Sequence, residues 1–275
     1  MEAAMSLCSP YLRGIVKAVV QAAQPRESTW SYFSRPSEGQ WRGSATHEGA
    51  ALLARLSTLG APSVLEQATK VLSEVNRNFR TRQRDDDLGY IARESLRVLT
   101  GAGPLPGILE ATDAERRHIA QVYVDALKAC RPPALAKTPF ALLSKWYHTL
   151  QPEVFVIYDQ NAAKSIKAWS DDEHAGLARD DIERCQFDVT NGNAYWRAHW
   201  DDPRWYGGIL LFYQKVWSCA QLMGKAEDLL AAAHALQAEV RNITGCRDAQ
   251  ITVCDLIDCH LWKSDGKADK PGLPT

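Results

Sequence analysis

Apolar residues recur three and four positions apart along most of this chain, and this spacing constrains the fold more than any other feature. Such a period places apolar side chains on one face of a helix, whereas a strand would need them at every second position. The pattern predicts helices over Tyr11–Ala23, Thr46–Leu59, Ser63–Phe79, Asp85–Leu99, Asp113–Cys130, Pro203–Leu222, Lys225–Asn242 and Ala249–Lys263. No array of short strands and turns accompanies them, so the sequence predicts an all-α protein.

Several of these helices carry boundary signals. Thr112 followed by Glu115 is a capping box, in which each residue bonds the backbone N–H of the other. Asp202 is a suitable N-cap with Pro203 at the first helical position. The glycine- and proline-rich run at 101–107 is the strongest break in the chain.

The segment Thr138–Ile166 brings chemical groups into this helical frame. It predicts an amphipathic helix with an apolar stripe formed by Leu142, Leu143, Trp146, Tyr147 and Leu150. Ala141, Ser144, Lys145 and His148 fall on the opposite face. The apolar run Val154–Tyr158 is too short for a helix and ends at Asp159, a preferred N-cap, before a helical pattern through Trp169. One amine and one carboxylate thus lie at the two ends of a compact unit, an arrangement that suits chemistry in a cleft.

This order of a helical lysine, a short apolar run, an aspartate at the next helix start and then Ala-Ala-Lys-Ser-Ile resembles the catalytic core of helix-hairpin-helix DNA glycosylases. The similar branch is the 8-oxoguanine-glycosylase-like one. The chain also resembles phage-defence glycosylases that remove glucosylated hydroxymethylcytosine. The resemblance covers about thirty residues. Two features depart from the family pattern. The stretch Arg131–Pro139 lacks the hairpin glycines that let the backbone approach a phosphate, and only 14 positions separate Lys145 from Asp159.

The resemblance implies a two-lobed helical fold with a cleft between the lobes. Residues 1–263 would form one catalytic unit, with a tentative crossing between lobes near 101–107. The polar, proline-containing segment 264–275 is predicted to be a disordered tail. The resemblance also implies a monomeric enzyme that acts on DNA without a metal or another cofactor.

By the same resemblance, Asp159 is the catalytic carboxylate, which would stabilise positive charge on the deoxyribose as the base leaves. The alternative is an N-cap without a chemical role. Lys145 matches the catalytic amine and must be neutral to attack the sugar, which requires burial or a nearby cation. The alternatives for Lys145 are a solvated lysine or a phosphate contact, and the short Lys-to-Asp separation favours cleavage by water.

The segment Tyr195–Gly208 combines aromatic rings with acids, which suits a pocket for a flipped base, including one that carries a sugar. The alternative is that these rings are ordinary core under a polar turn. The predicted substrate-binding residues are His148, Tyr158, Trp196, His199, Trp200, Asp201 and Trp205. For His148 the alternative is a core or capping histidine.

Four arginines within eight positions form the candidate surface for DNA phosphates. The predicted DNA contacts are Arg77, Arg80, Arg82 and Arg84, with Lys137 and Lys164. A solvated loop is the alternative, and the net charge of −1 excludes a protein that is basic over its whole surface. It leaves room for one basic face.

The seven cysteines are odd in number and scattered, as in reduced cytosolic proteins. Cys246, Cys254, Cys259 and His260 lack the paired spacing of a zinc site, so no metal is predicted. No apolar run approaches the roughly 20 residues of a membrane span, and the start lacks a signal-peptide pattern. Cytoplasmic residence is expected.

The sequence therefore predicts a DNA glycosylase that excises a modified base, with glucosylated hydroxymethylcytosine in phage defence as one substrate. An 8-oxoguanine-type repair glycosylase with strand-nicking lyase activity is one alternative. The other is a non-catalytic helical module that binds DNA or a protein. The missing hairpin glycines and the near-neutral charge favour this last reading.

Overall fold

The protein is all-α in the computed structural model, as the sequence predicts. The structure describes residues 8–22, 34–35, 40–41, 62–78, 81, 83–131, 139–158, 162, 166, 169, 200–244 and 250–263. Its eight bounded helices in these ranges are α1 (Pro10–Ala22), α2 (Pro62–Asn78), α3 (Asp85–Ala102), α4 (Asp113–Ala129), α5 (Phe140–Leu150), α6 (Arg204–Leu222), α7 (Ala226–Thr244) and α8 (Val253–Lys263). A short 3₁₀ turn at Ile108–Glu110 and one two-residue antiparallel pair, Ser34–Arg35 with Gln40–Trp41, complete the described elements. The predicted helix Thr46–Leu59 and the tail lie outside the described ranges.

The boundary signals act largely as predicted. The Thr112 hydroxyl accepts the Glu115 N–H at 3.3 Å and the Glu115 carboxylate accepts the Thr112 N–H at 2.7 Å, which confirms the capping box. Helix α3 ends at Ala102 and is capped by Gly103, whose φ of 73° is a backbone conformation that favours glycine. Helix α6 begins one residue later than predicted, and the Asp202 carboxylate accepts the N–H of Arg204 at 3.0 Å.

Helix α8 also begins later than predicted, at Val253 rather than Ala249. Thr252 precedes it, and a second reciprocal cap explains the start. The Asp255 carboxylate accepts the N–H and the hydroxyl of Thr252, each at 2.7 Å, while the Thr252 hydroxyl accepts the N–H of Asp255. A threonine followed by an acid three residues later therefore sets the N-terminus of both α4 and α8.

Helix–helix contacts divide the helices into two sets. Helices α2, α3, α4 and α5 pack on one another, while α1 packs with the C-terminal helices α6, α7 and α8. The contact between α4 and α6 joins the sets, and one hydrophobic core runs through both. The break at 101–107 connects α3 and α4, two helices of the same set. The cleft and the domain bounds stay predictions.

An aromatic cluster stabilises the junction of the two sets. The rings of Tyr123 on α4 and Tyr206 on α6 stack with centroids 3.9 Å apart. Trp205 packs edge-on against Tyr123 and Tyr158, with centroids at 5.7 and 5.5 Å. Because these rings are fully or almost fully buried, α6 and the segment around Tyr158 are fixed in the same core.

None of the helices in the described ranges is long and apolar enough to cross a membrane.

Candidate active site

Helix α5 is buried on its polar face as well as on its apolar stripe. Ser144, Lys145, His148 and Thr149 are all less than one-tenth exposed, although the sequence places the first three opposite the apolar stripe. Burial of polar side chains requires hydrogen-bond partners. The Thr149 hydroxyl donates to the Lys145 carbonyl at 2.8 Å, and the side chains of Ser144 and His148 also have hydrogen-bond partners. Helix α5 is therefore a central helix with an internal polar face.

Lys145 is only 5% exposed, which removes the alternative of a solvated surface lysine. Burial disfavours the charged form of an amine unless a partner compensates it. Lys145 also has an interaction partner in the protein. The environment is thus one in which an amine can be chemically useful.

The residues that follow α5 form a buried segment, 154–158, which is neither helix nor strand. The N–H groups of Val154 and Phe155 donate to the Gln151 carbonyl, each at 3.0 Å, whereas the N–H groups of 156–158 are bonded by side chains. The Tyr206 hydroxyl accepts the N–H of Val156 at 3.2 Å and donates to its carbonyl at 3.0 Å. Burial raises the pKa of Tyr206 well above its usual value, so the phenol keeps the proton that it donates. We call this segment and the side chains that bond it the cradle.

Asp258 on α8 supports the next residue of the cradle. Its carboxylate accepts the N–H of Ile157 at 3.4 Å and a short hydrogen bond from the Tyr213 hydroxyl. Asp258 is 4% exposed, so its charge is held inside the protein by these donors. Through this hydrogen bond, helix α8 helps to position the segment that precedes Asp159 in the chain.

Ser144 closes the cradle at its last residue. Its hydroxyl accepts the N–H of Tyr158 at 3.1 Å and lies 3.2 Å from the Tyr158 carbonyl and 3.3 Å from that of Ala141. Ser144 precedes Lys145 and Tyr158 precedes Asp159 in the chain. The two segments that carry the predicted amine and the predicted carboxylate are therefore hydrogen-bonded to each other at the positions next to them.

His148 lies one turn after Lys145 and is clamped at both ring nitrogens. Nδ1 is 2.7 Å from the Phe155 carbonyl and Nε2 is 2.8 Å from the Asp255 carboxylate. Both partners offer acceptor oxygens, and a protonated ring, which donates from both nitrogens, matches them. Burial lowers the pKa of His148, but the charge and hydrogen bond of Asp255, the charge of Asp258 and the bond to Phe155 together raise it to about 9. The predicted contact of His148 with a substrate base stays a prediction, whereas its bonds tie α5 and α8 to the cradle.

The other predicted substrate-binding residues are placed in different environments. Tyr158 is 5% exposed and packs against Trp205, which has no exposed surface and donates its indole N–H to the Trp200 carbonyl at 3.3 Å. Trp200 is half-buried, and the Arg131 guanidinium lies over its ring at 4.6 Å. Asp201 is exposed. Trp205 thus belongs to the core. Among the predicted substrate-binding residues of this segment that the structure describes, Trp200 and Asp201 have solvent-accessible surface that a ligand could contact.

The connection between α2 and α3 carries the predicted phosphate contacts. Asn76 organises it, since its side chain accepts the Gln83 N–H at 3.1 Å and donates to the Gln83 carbonyl at 2.9 Å. Arg77 and Arg84 are exposed at the two ends of this connection. Arg84 also lies 3.6 Å from Asp86, and three aspartates open α3. The described part of the surface is therefore mixed in charge.

Several predicted residues lie outside the described ranges. They are Asp159, Trp196, His199, Arg80, Arg82, Lys137 and Lys164. Helical positions Ala162, Ile166 and Trp169 after Asp159 are described and buried, at the spacing of one helix face.

The described cysteines are buried free thiols. Burial raises the pKa of Cys254 well above its usual value and, with the negative charge of Glu94, raises that of Cys130 to about 12. Protonated buried thiols are poor nucleophiles and poor metal ligands. No group of three potential metal ligands occurs in the described part of the chain.

Sequence reasoning did not identify Tyr206, Asp255 or Asp258 as parts of this site. Asp255 and Asp258 are the two acids of the mainly apolar helix α8 and stand three positions apart, which places them on one face. That pairing is a signal for an internal polar contact. Tyr206 carried no such signal, because it lies within a run of aromatic residues.

The chain was compared with protein families, curated proteins and solved structures. No protein-family model, no curated protein and no solved structure matches the chain. Any function must therefore be argued from the site.

Proposed function

We propose that this protein is a DNA glycosylase that excises a modified base and leaves an abasic site. The observation that carries the proposal is the pair of hydrogen-bond distances between Ser144 and Tyr158. It links the buried helix of Lys145 to the end of the cradle, where Asp159 follows in the chain. An amine and a carboxylate delivered together are the groups that cleavage of an N-glycosidic bond uses.

In the proposed reaction, Asp159 stabilises the positive charge that develops on the deoxyribose as the base departs. Lys145 either attacks the sugar carbon or assists an attacking water. A rigid support is important because catalytic groups lose efficiency when they are misplaced by about 1 Å. The bonds to Tyr206, Asp258 and Ser144 supply such support.

We propose a base that carries a sugar, such as glucosylated hydroxymethylcytosine, as the first substrate to test, with a role in defence against phage. Support comes from the family resemblance and from Trp200 and Asp201, whose aromatic face and exposed acid suit a sugar. An 8-oxoguanine-type repair activity with strand nicking is the alternative reaction of the same site.

A non-catalytic module that binds DNA or a protein is the second candidate function. The acids at the start of α3, which follow the arginines directly, favour the protein-binding form of this module, because they reduce the attraction for DNA phosphates. The buried Lys145 favours the enzyme, since a binding module has no need of an internal amine.

The test is incubation of the protein with duplex DNAs that contain single modified bases, including glucosylated phage DNA and 8-oxoguanine DNA. Released base is measured by mass spectrometry and abasic sites by alkaline cleavage. We expect one DNA to yield free base and Asp159→Asn to lower the rate by about 10²-fold or more, with the melting temperature nearly unchanged. Asp125→Asn, at an exposed site on α4, is the matched control and should retain the rate.

If no DNA yields free base while the protein still binds DNA, the module replaces the enzyme. If Asp159→Asn releases base as fast as the wild type, Asp159 is only a helix cap.

A further inference from the structure

A cavity of about 700 Å³ lies apart from Lys145, between the 3₁₀ turn, the end of α6, helix α7 and the start of α8. Cavities of roughly 300–1,000 Å³ are typical of sites for small molecules. Ser144, Lys145 and His148 are not among its lining residues. The cavity is thus a separate feature, and the proposed glycosylase activity does not use it.

The walls of the cavity are largely apolar. Trp217 on α6, Leu230 on α7 and Ile251 before α8 supply much of this surface. The indole N–H of Trp217 donates to the Glu110 carboxylate at 2.6 Å, which fixes the ring. A fixed aromatic wall favours a ligand with an apolar body and also attracts a cation over its face.

The charged groups of the cavity are mainly acidic. Glu110, Glu115 and Glu153 line it, and Arg241 is the single lysine or arginine among the described lining residues. Glu115 is engaged in the cap of α4. Glu110 and Glu153 are exposed, and no described side chain neutralises either one by an ion pair. A ligand with a positive charge is therefore attracted, and an anion is repelled.

We propose that this cavity binds a small organic cation, a primary ammonium group carried on an aryl or alkyl body. The apolar body would lie against Trp217 and Leu230, and the ammonium group would meet Glu110 and Glu153. The acidic groups also disfavour a DNA phosphate, although Arg241 and His234 line the cavity as well, so this ligand is distinct from the DNA substrate.

The experiment is isothermal titration calorimetry of the full chain at low salt with three ammonium probes. These are 2-phenylethylammonium, tryptamine and hexylammonium, each paired with the carboxylate of matching length. We expect at least one ammonium probe to bind about tenfold or more tightly than its carboxylate partner. The double variant Glu110→Gln/Glu153→Gln should weaken that binding about tenfold.

Glu227→Gln is the matched control, because Glu227 is an exposed acid on α7 that does not line the cavity. It should bind the probe as the wild type does. Circular dichroism verifies that the double variant is folded. The proposal is wrong if no ammonium probe outperforms its carboxylate, or if the double variant binds as tightly as the control. Neither result depends on base release, so the glycosylase proposal is tested separately.

Discussion

At the scale of single residues, Lys145 decides whether the proposed reaction uses an amine or a water. Lys145 is buried on α5. In the amine route its neutral form displaces the base from C1′, and opening of the sugar ring then gives a Schiff base. We predict that borohydride traps a covalent complex between the wild type and substrate DNA. Lys145→Met, which keeps the length of the side chain and removes the amine, should abolish the complex. Lys128→Met, at an exposed position of α4, should retain it. Release of base without any trapped complex would instead assign the attack to water.

The raised pKa of His148 predicts how the free energy of unfolding depends on pH. Its pKa in the folded protein is about 9 against an ordinary value of 6.5, so the folded state holds the proton more tightly than the unfolded chain. The stabilisation is complete below about pH 6.5 and is lost as the pH rises through about 9. At about 1.4 kcal/mol per pKa unit it is on the order of 3 kcal/mol.

Urea unfolding at pH 6, 7.5 and 9 measures this effect. We expect the free energy of unfolding to fall with rising pH in the wild type and to fall much less in His148→Gln. His118→Gln, an exposed histidine on α4, is the control and should keep the wild-type slope. Equal slopes for wild type and His148→Gln would show that the clamp does not hold a proton.

At the scale of elements, the cradle is the feature that joins stability to the proposed chemistry. Ser144→Ala removes the side-chain bonds to Tyr158, and we expect a loss of about 1–3 kcal/mol in the free energy of unfolding. Ser95→Ala is a matched control, because Ser95 is also fully buried and accepts the Trp146 indole N–H at 3.0 Å. Both variants should lose similar stability. Base release should fall about tenfold further in Ser144→Ala, since only that variant loosens the segment before Asp159. Equal rates per folded molecule would reduce the cradle to a structural role.

The elements also show which parts of the structure the sequence could predict. Helix positions and the cap at Thr112 follow from local periodicity and capping, so they were predicted to within a few residues. The cradle depends on contacts such as Ile157 with Asp258, which are 101 positions apart in the chain. Periodicity carries no information on such contacts. The sequence left open whether Lys145 is buried or solvated for the same reason, because an amphipathic pattern does not reveal that other residues cover the polar face.

At the scale of the whole molecule, the near-neutral charge requires any DNA contact to be local. Arg77 and Arg84 are exposed around the α2–α3 connection, although Asp86 lies near Arg84. If Arg77, Arg80, Arg82 and Arg84 each neutralise a phosphate, each loss should flatten the dependence of log affinity on log salt by roughly 0.9. We predict that the quadruple Arg→Gln variant binds all DNA sequences more weakly, with a flatter salt dependence, when measured by fluorescence anisotropy from 50 to 300 mM salt.

A control with the same change in net charge separates a local contact from a general electrostatic effect. Replacement of Arg93, Arg97, Arg117 and Lys128 by glutamine also removes four positive charges, from exposed positions of α3 and α4. Screening limits the influence of distant charges to about 10 Å at 0.1 M salt. The control should therefore bind nearly as tightly as the wild type and keep its salt slope. If both variants lose affinity equally, the loss is caused by the change in net charge, and the four arginines make no specific contact with DNA phosphates. If neither loses affinity, DNA approaches the protein on another face, and the acids of α3 explain why it avoids this one.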